Sequence, residues 1–201
     1  QKYAAGTEIT FAITFKTAPS FTNYNYYLIF GDSRFNLNSN LSSNYFFIPG
    51  ETYNVTSLDT VTGGGGLESV YNNYYSSWAG AITLKSEDIT LTNGPFSNTT
   101  STDTEHYNYT SSLVSIDNYK VNEATISFTI PVSDLKLSGN TLYYSFVTTK
   151  GDNVNNTQDL VSDIQSIDLI ANSPPKTGLN DTSLFSADNS AKIVSWTVSV
   201  Q

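Results

Sequence analysis

"GTEITFAITFK", residues 6 to 16, is the stretch on which the reading of the whole chain turns. Ile9, Phe11, Ile13 and Phe15 occupy every second position, and Thr10, Ala12 and Thr14 stand between them. A β-strand repeats its side-chain direction every second residue, so this segment has one large apolar face and one small, mostly hydroxylated face. Four large apolar side chains need a groove to cover them. That groove belongs either to this chain or to a neighbouring copy of it.

The same period runs through much of the sequence. Strands are expected at 7–16, 24–31, 44–49, 67–75, 79–92, 106–116, 124–131, 141–150, 162–170 and 192–200. They are rich in Ile, Val, Thr, Tyr and Phe, which suit a pleated, half-buried surface. At the C-terminal end Val194, Trp196, Val198 and Val200 alternate with Ser195, Thr197 and Ser199. Turn formers lie between the strands: Asn93-Gly94-Pro95, Ser138-Gly139-Asn140, Lys150-Gly151-Asp152-Asn153 and Ser173-Pro174-Pro175. No segment sustains a 3.6-residue apolar period; residues 158–167 fit a turn or two of helix, and fit alternation as well. Short strands with frequent turn signals imply an all-β fold, a β-sandwich of immunoglobulin or pilin-like type. Nothing divides two globular halves, and the glycine run 63–66 reads as an inter-strand loop. The expected organisation is an N-terminal strand or tail over 1–17 and a β-sandwich head over 18–201.

Composition narrows the function. Charged residues make up 13% of the 201-residue chain, against about 25% in ordinary soluble domains. The polar surface falls instead to 21 Asn and 53 Ser plus Thr, groups that do not titrate. The formal charge of -9 argues against nucleic acid as a partner. Without cysteine there is no disulfide, thiol nucleophile or Cys-ligated metal. No apolar run is long enough to span a membrane. With no methionine in the chain, residue 1 is not expected to be the start of the translated product, and a secretory leader is one segment that would have been removed. Together these features imply an extracellular, cell-surface protein, with an acidic habitat suggested by the uncharged surface.

Chemistry has little to work with. His106 is the only histidine, and no G-x-S-x-G elbow surrounds any serine. Glu87 and Asp88 are adjacent, so on a strand they would point to opposite faces rather than share a site. The "GDNVNN" run at 151–156 has Val154 where a calcium loop needs an oxygen ligand, and the glycine run lacks the Lys-Ser/Thr of a phosphate loop. No catalytic residue, metal site or cofactor is therefore expected, and the chain does not read as an enzyme. The aromatics Tyr71, Tyr74, Tyr75 and Trp78 suit either core packing or a sugar platform. Six N-x-[ST] sequons, at Asn40, Asn54, Asn98, Asn108, Asn155 and Asn180, are candidates for covalent N-glycans. Most are expected in loops or at strand ends.

An apolar N-terminal strand has two readings. It pairs within its own sandwich, as in most β domains. Alternatively it leaves its subunit and completes the sheet of the next, with main-chain hydrogen bonds for affinity and alternate side chains in pockets for specificity. Donor and acceptor surfaces then differ, so the contact is head-to-tail and builds a filament if the rotation does not close. Thr17-Ala18-Pro19-Ser20 would be the hinge.

The donor-like residues 6–16, the Asn/Ser/Thr/Tyr-rich body, the scattered sequons and the missing cysteine resemble the subunits of archaeal thread filaments. The resemblance implies a β-sandwich head, an N-terminal donor strand, heavy N-glycosylation and a self-assembled homopolymer with roles in adhesion. Carried over by position, Ile9, Phe11, Ile13 and Phe15 would be the inserted side chains, with Tyr3 and Ala5 on the same parity. A second likeness, over 126–153, is to the later strands of secreted sandwich modules at the ends of some glucan-active enzymes. It implies an S-layer-associated or carbohydrate-binding, adhesive module instead.

Overall fold

The computed structural model describes residues 3–35, 37, 52–54, 77–100, 104–114, 119–151, 153–180 and 188–201; for 52–54, 94–100, 104–114 and 153–156 it describes the backbone alone. In chain order the strands are β1 (Glu8–Phe15), β2 (Tyr24–Gly31), β3 (Thr52–Asn54), β4 (Gly80–Leu84), β5 (Ile89–Thr100), β6 (Thr104–Val114), β7 (Lys120–Asn122), β8 (Thr125–Pro131), β9 (Thr141–Lys150), β10 (Asn153–Leu160), β11 (Gln165–Asp168), β12 (Lys176–Leu179) and β13 (Ile193–Val200). A short 3-10 turn, Val132–Leu135, follows β8.

These strands form two antiparallel sheets. One has five strands in the order β12-β13-β1-β8-β7. The other has eight: β10-β9-β2-β4-β5-β6-β3, with β11 also pairing with β9. Their inner faces share one apolar core, which includes Ile9, Phe11, Ile126, Phe128, Trp196 and Val198 from the first sheet and Tyr26, Leu28, Ile82, Leu91, Tyr144 and Phe146 from the second. The architecture is a β-sandwich.

Several boundaries differ from those read in the sequence, each for a local reason. The segment 79–92 is not one strand but the hairpin β4–β5, closed by the Lys85 N–H donating to the Asp88 carbonyl at 2.9 Å. Glu87 and Asp88 thus lie on an exposed turn rather than on a strand. Asn93-Gly94-Pro95 is not a turn either. β5 runs through it, and the pairing slips: Asn93 faces Thr110, but Ser97 faces Asn108. Three residues of β5, 94–96, stand against one of β6, 109, a bulge that accommodates a proline with no N–H to give. Asn93 itself is buried, and its amide donates to the carbonyls of Asp134 at 3.3 Å and Leu135 at 3.5 Å.

Residues 158–167 form no helix; β10 ends at Leu160 and β11 begins at Gln165. Of the run at 151–156, Gly151 lies in a turn and β10 starts at Asn153. β7 and β12 are short, exposed edge strands that the sequence did not announce. The expected strands at 44–49 and 67–75, and the glycine loop at 63–66, lie outside the described residues.

Candidate functional site

The groove around β1 is the site the sequence points to. β1 is the middle strand of the five-stranded sheet, bonded to β13 on one side and β8 on the other. Ile9, Phe11 and Ile13 meet apolar partners across both ladders, and Phe15 meets one across the β13 ladder. Ile9 faces Val200 and Ile130, Phe11 faces Val198 and Phe128, and Ile13 faces Trp196 and Ile126. Phe15 faces Ile193. The four side chains are buried, none more than 3% exposed. They also reach the other sheet: the Phe11 ring meets Tyr144 edge-on at 6.0 Å, and Phe15 meets Tyr26 at 4.9 Å. Phe11 stacks on Phe128 at 5.1 Å within its own sheet.

The outward face has the opposite character. The Thr10 and Thr129 hydroxyls lie 2.7 Å apart, and those of Thr14 and Thr125 lie 2.9 Å apart. These cross-strand hydroxyl pairs favour this register over a slip of one residue, which would turn the apolar set to solvent.

Both ends of β1 are tied down within the chain. Before it, Gly6 has φ +81°, and the chain turns so that the Thr7 N–H and hydroxyl both donate to the Ala4 carbonyl. Tyr3 and Ala5 consequently do not continue the strand; Tyr3 packs on the core from beyond the turn, and Ala5 is exposed. Glu8 and Gln201 exchange two main-chain hydrogen bonds, of 3.0 and 2.9 Å. After β1, Lys16 N–H donates to the Lys192 carbonyl and Thr17 N–H to that of Asn189. At Ser20, in the segment expected to be a hinge, the N–H donates to the Tyr26 hydroxyl, which donates in turn to the Ser190 carbonyl, both at 2.8 Å. Burial pushes the Tyr26 hydroxyl up to about 12 despite these two bonds. Asp188 caps the adjoining turn, and the N–H and hydroxyl of Ser190 hold its exposed carboxyl below the usual carboxylate range.

The β13 wall of the groove departs from strict alternation. Thr14 pairs with Ser195, but Phe15 pairs with Ile193, so β13 carries a bulge at Val194. Ile193 takes the buried place, and Val194 is 37% exposed.

A residue that sequence reasoning missed lies beside this wall. Asp159, in β10, is fully buried. Its carboxylate accepts from Leu160 N–H at 2.9 Å, from Ile193 N–H at 2.8 Å and from the Asn180 amide at 3.3 Å. The sequence reading did not mark it, because position 159 falls between the expected strands 141–150 and 162–170.

Asn180 is the one sequon whose side chain is described. It is half-buried, and its amide also donates to the Leu160 carbonyl at 3.4 Å. Asn54 ends β3, whereas Asn98, Asn108 and Asn155 lie within β5, β6 and β10, not in loops. Asn40 lies outside the described residues, as do Tyr71, Tyr74 and Tyr75. Trp78 is 5% exposed and meets Phe35 edge-on at 6.3 Å, so its ring offers no open platform to a sugar. The backbone of His106 pairs with Thr52 and Thr99. Among the described residues, no three or more His, Asp or Glu side chains gather as metal ligands, and no helix is long and apolar enough to cross a membrane. Comparison with protein-family models, with curated proteins and with solved structures finds no match.

Proposed function

We propose that this chain is a structural subunit of an extracellular, pilus-like surface filament, joined head-to-tail by insertion of its first strand into the next subunit. The observation that carries the reading is the place of β1. It is the first strand of the chain, yet it fills the middle of a sheet, with apolar partners on both ladders. Withdrawing it leaves a slot between β8 and β13 whose lining matches only a strand with this apolar pattern. A second copy carries that strand. In one chain the slot is filled from within; in a filament the same register would be filled from the neighbour, once the bonds of Lys16, Thr17 and Ser20 have opened. The polar, cysteine-free composition and the sequons agree with an exported, glycosylated polymer, and none of them requires an active site.

A disulfide staple tests this, because the chain has no cysteine of its own. Thr10 and Thr129 face each other on the outer side of the sheet with hydroxyls 2.7 Å apart, and a cysteine pair opposed in this way suits a disulfide. The Thr10→Cys, Thr129→Cys variant, isolated from its producing cells without denaturant and oxidised, is expected to run as a ladder of covalent multimers on a non-reducing denaturing gel. Electron microscopy of the same sample should show regular filaments. A single monomer band would mean that each chain keeps its own strand, and the filament reading would fall.

A further inference from the structure

We propose that a cleft at the start of β2, lined by Thr22, Asn23, Tyr24 and Lys150, is a subsite for one neutral sugar ring. Its volume is about 280 Å³. That is just below the range of about 300–1,000 Å³ that holds drug-sized ligands, so the cleft suits a single ring rather than a chain of them. The subsite belongs to the folded chain and does not rest on how chains assemble.

The backbone around the cleft is fixed in advance. Tyr24 opens β2 and pairs with Lys150 at the end of β9, so the two side chains stand side by side on one face of the sheet. The Asn25 amide donates to the Lys150 carbonyl at 3.0 Å. The turn that carries Thr22 and Asn23 is closed by the N–H groups of Asn23 and Tyr24, which both donate to the Ser20 carbonyl. Gly151 fastens this turn to β9. Its N–H donates to the Asn23 carbonyl at 2.7 Å, and a Cβ there would come within 2.9 Å of the same carbonyl group. Tyr24 is half-buried and packs on the edge of the core. A ligand therefore meets walls that need little ordering.

The charges around the cleft select the class of ligand. The Lys150 ammonium disfavours a cation. The Asp188 carboxylate acts on the Tyr24 hydroxyl and disfavours an anion, as does the net charge of -9. Neither opposes a neutral molecule. The polar groups on offer are of mixed kind: Lys150 only donates, whereas the Asn23 amide and the Thr22 hydroxyl both donate and accept. A sugar ring answers this set, because its hydroxyls do both. Its C–H face matches the amphipathic Tyr24, an apolar ring with a polar tip.

The test is an NMR titration of the full, isotope-labelled chain. Methyl glucoside, methyl galactoside and methyl mannoside are the neutral probes, and glucuronate and inorganic phosphate the anionic ones. At least one neutral sugar is expected to bind in the millimolar range, as befits a ligand of about a dozen heavy atoms, and to shift the Tyr24 and Gly151 amides together. Tyr24→Leu keeps an apolar side chain on the core and removes the ring; it should weaken that binding roughly tenfold. Should this variant not fold, Lys150→Ala, at an exposed position, takes its place, again with a roughly tenfold loss expected. Chain isolated from its producing cells is compared with chain from a host that adds no N-glycan. Amides already displaced in the former name the protein's own glycan as the occupant, amides that move only on titration name an external one, and either result supports the subsite. No shift at these amides with any neutral sugar up to about 100 mM, shifts with the anionic probes alone, or binding unchanged in the variant would overturn it.

Discussion

At the scale of single residues, the decisive facts are what lies opposite each side chain. Gly178 of β12 pairs with Trp196 of β13, and the indole lies across the glycine: a Cβ there would come within 2.0 Å of Cζ2 and 2.4 Å of Cε2. Gly178→Ala must displace the ring, and we expect a loss of about 1–3 kcal/mol, the usual range for overpacking. Chemical denaturation followed by tryptophan fluorescence measures it; an unchanged midpoint would mean that the ring moves aside freely. The ring is held in a confined place. Its indole N–H and the Tyr144 hydroxyl are both buried without a hydrogen bond of good geometry among the described residues, and burial pushes Tyr144 up to about 12. Asn180 gives a second prediction at this scale. N-glycosylation attaches at the side-chain amide nitrogen, and here that nitrogen is committed to Asp159 and to the Leu160 carbonyl. Peptide mapping of glycosylated material should find Asn180 unmodified, and a glycan there would contradict the observed packing. The sequence marked neither Gly178 nor Asp159 as special and marked Asn180 only as a sequon, because each acquires its structural role from a partner distant along the chain.

At the scale of elements, the alternating face of β1 is the feature that reads most directly from sequence to structure. The expected span 7–16 becomes Glu8–Phe15, and the expected spans 24–31 and 141–150 are found unchanged. The two faces of β1 should respond very differently to mutation. Phe11→Ala empties a site between Phe128 and Tyr144 and is expected to cost about 3–5 kcal/mol. Thr10→Ala, on the outer face, removes one cross-strand hydroxyl pair and should cost about 0.2–1 kcal/mol. Urea midpoints for the two variants check this contrast, and equal losses would mean that β1 does not occupy the observed register. Where elements were misread, a change of phase carried information that propensity did not. Ile82 and Leu84 are buried at even positions and Ile89 and Leu91 at odd ones, so the alternation reverses within 79–92 and a turn has to intervene. At β13 the sequence keeps even parity from Val194 to Val200, yet the bulge opposite Thr14 and Phe15 brings Ile193 inward and turns Val194 out. β7 and β12 were missed because three or four exposed residues at a sheet edge have no buried face to generate a pattern.

At the scale of the whole molecule, the chain is acidic, at -9 and with a pI of about 4.3, but sparsely charged. Lowering the pH toward that point removes self-repulsion while leaving the Ser, Thr and Asn surface unaltered. We therefore expect tertiary structure to persist at acidic pH, with near-ultraviolet circular dichroism unchanged from neutral pH down to about pH 4, where exposed carboxylates ordinarily titrate. Loss of that signal with the far-ultraviolet signal retained would indicate a molten globule and refute the expectation. The sequence by itself determined that the chain is all-β, that β1 has one face demanding burial, and that strands lie at about 24–31, 124–131 and 141–150. Those properties depend on local period and propensity, which each segment carries alone. Only the tertiary structure decided that β1 lies between β8 and β13, that Trp196 covers Gly178, that Asn93-Gly94-Pro95 is a bulge, and that a buried Asp159 joins the two sheets. Each of these is a contact between segments far apart in the chain, and a two-residue period fixes which way a side chain points but not what it meets.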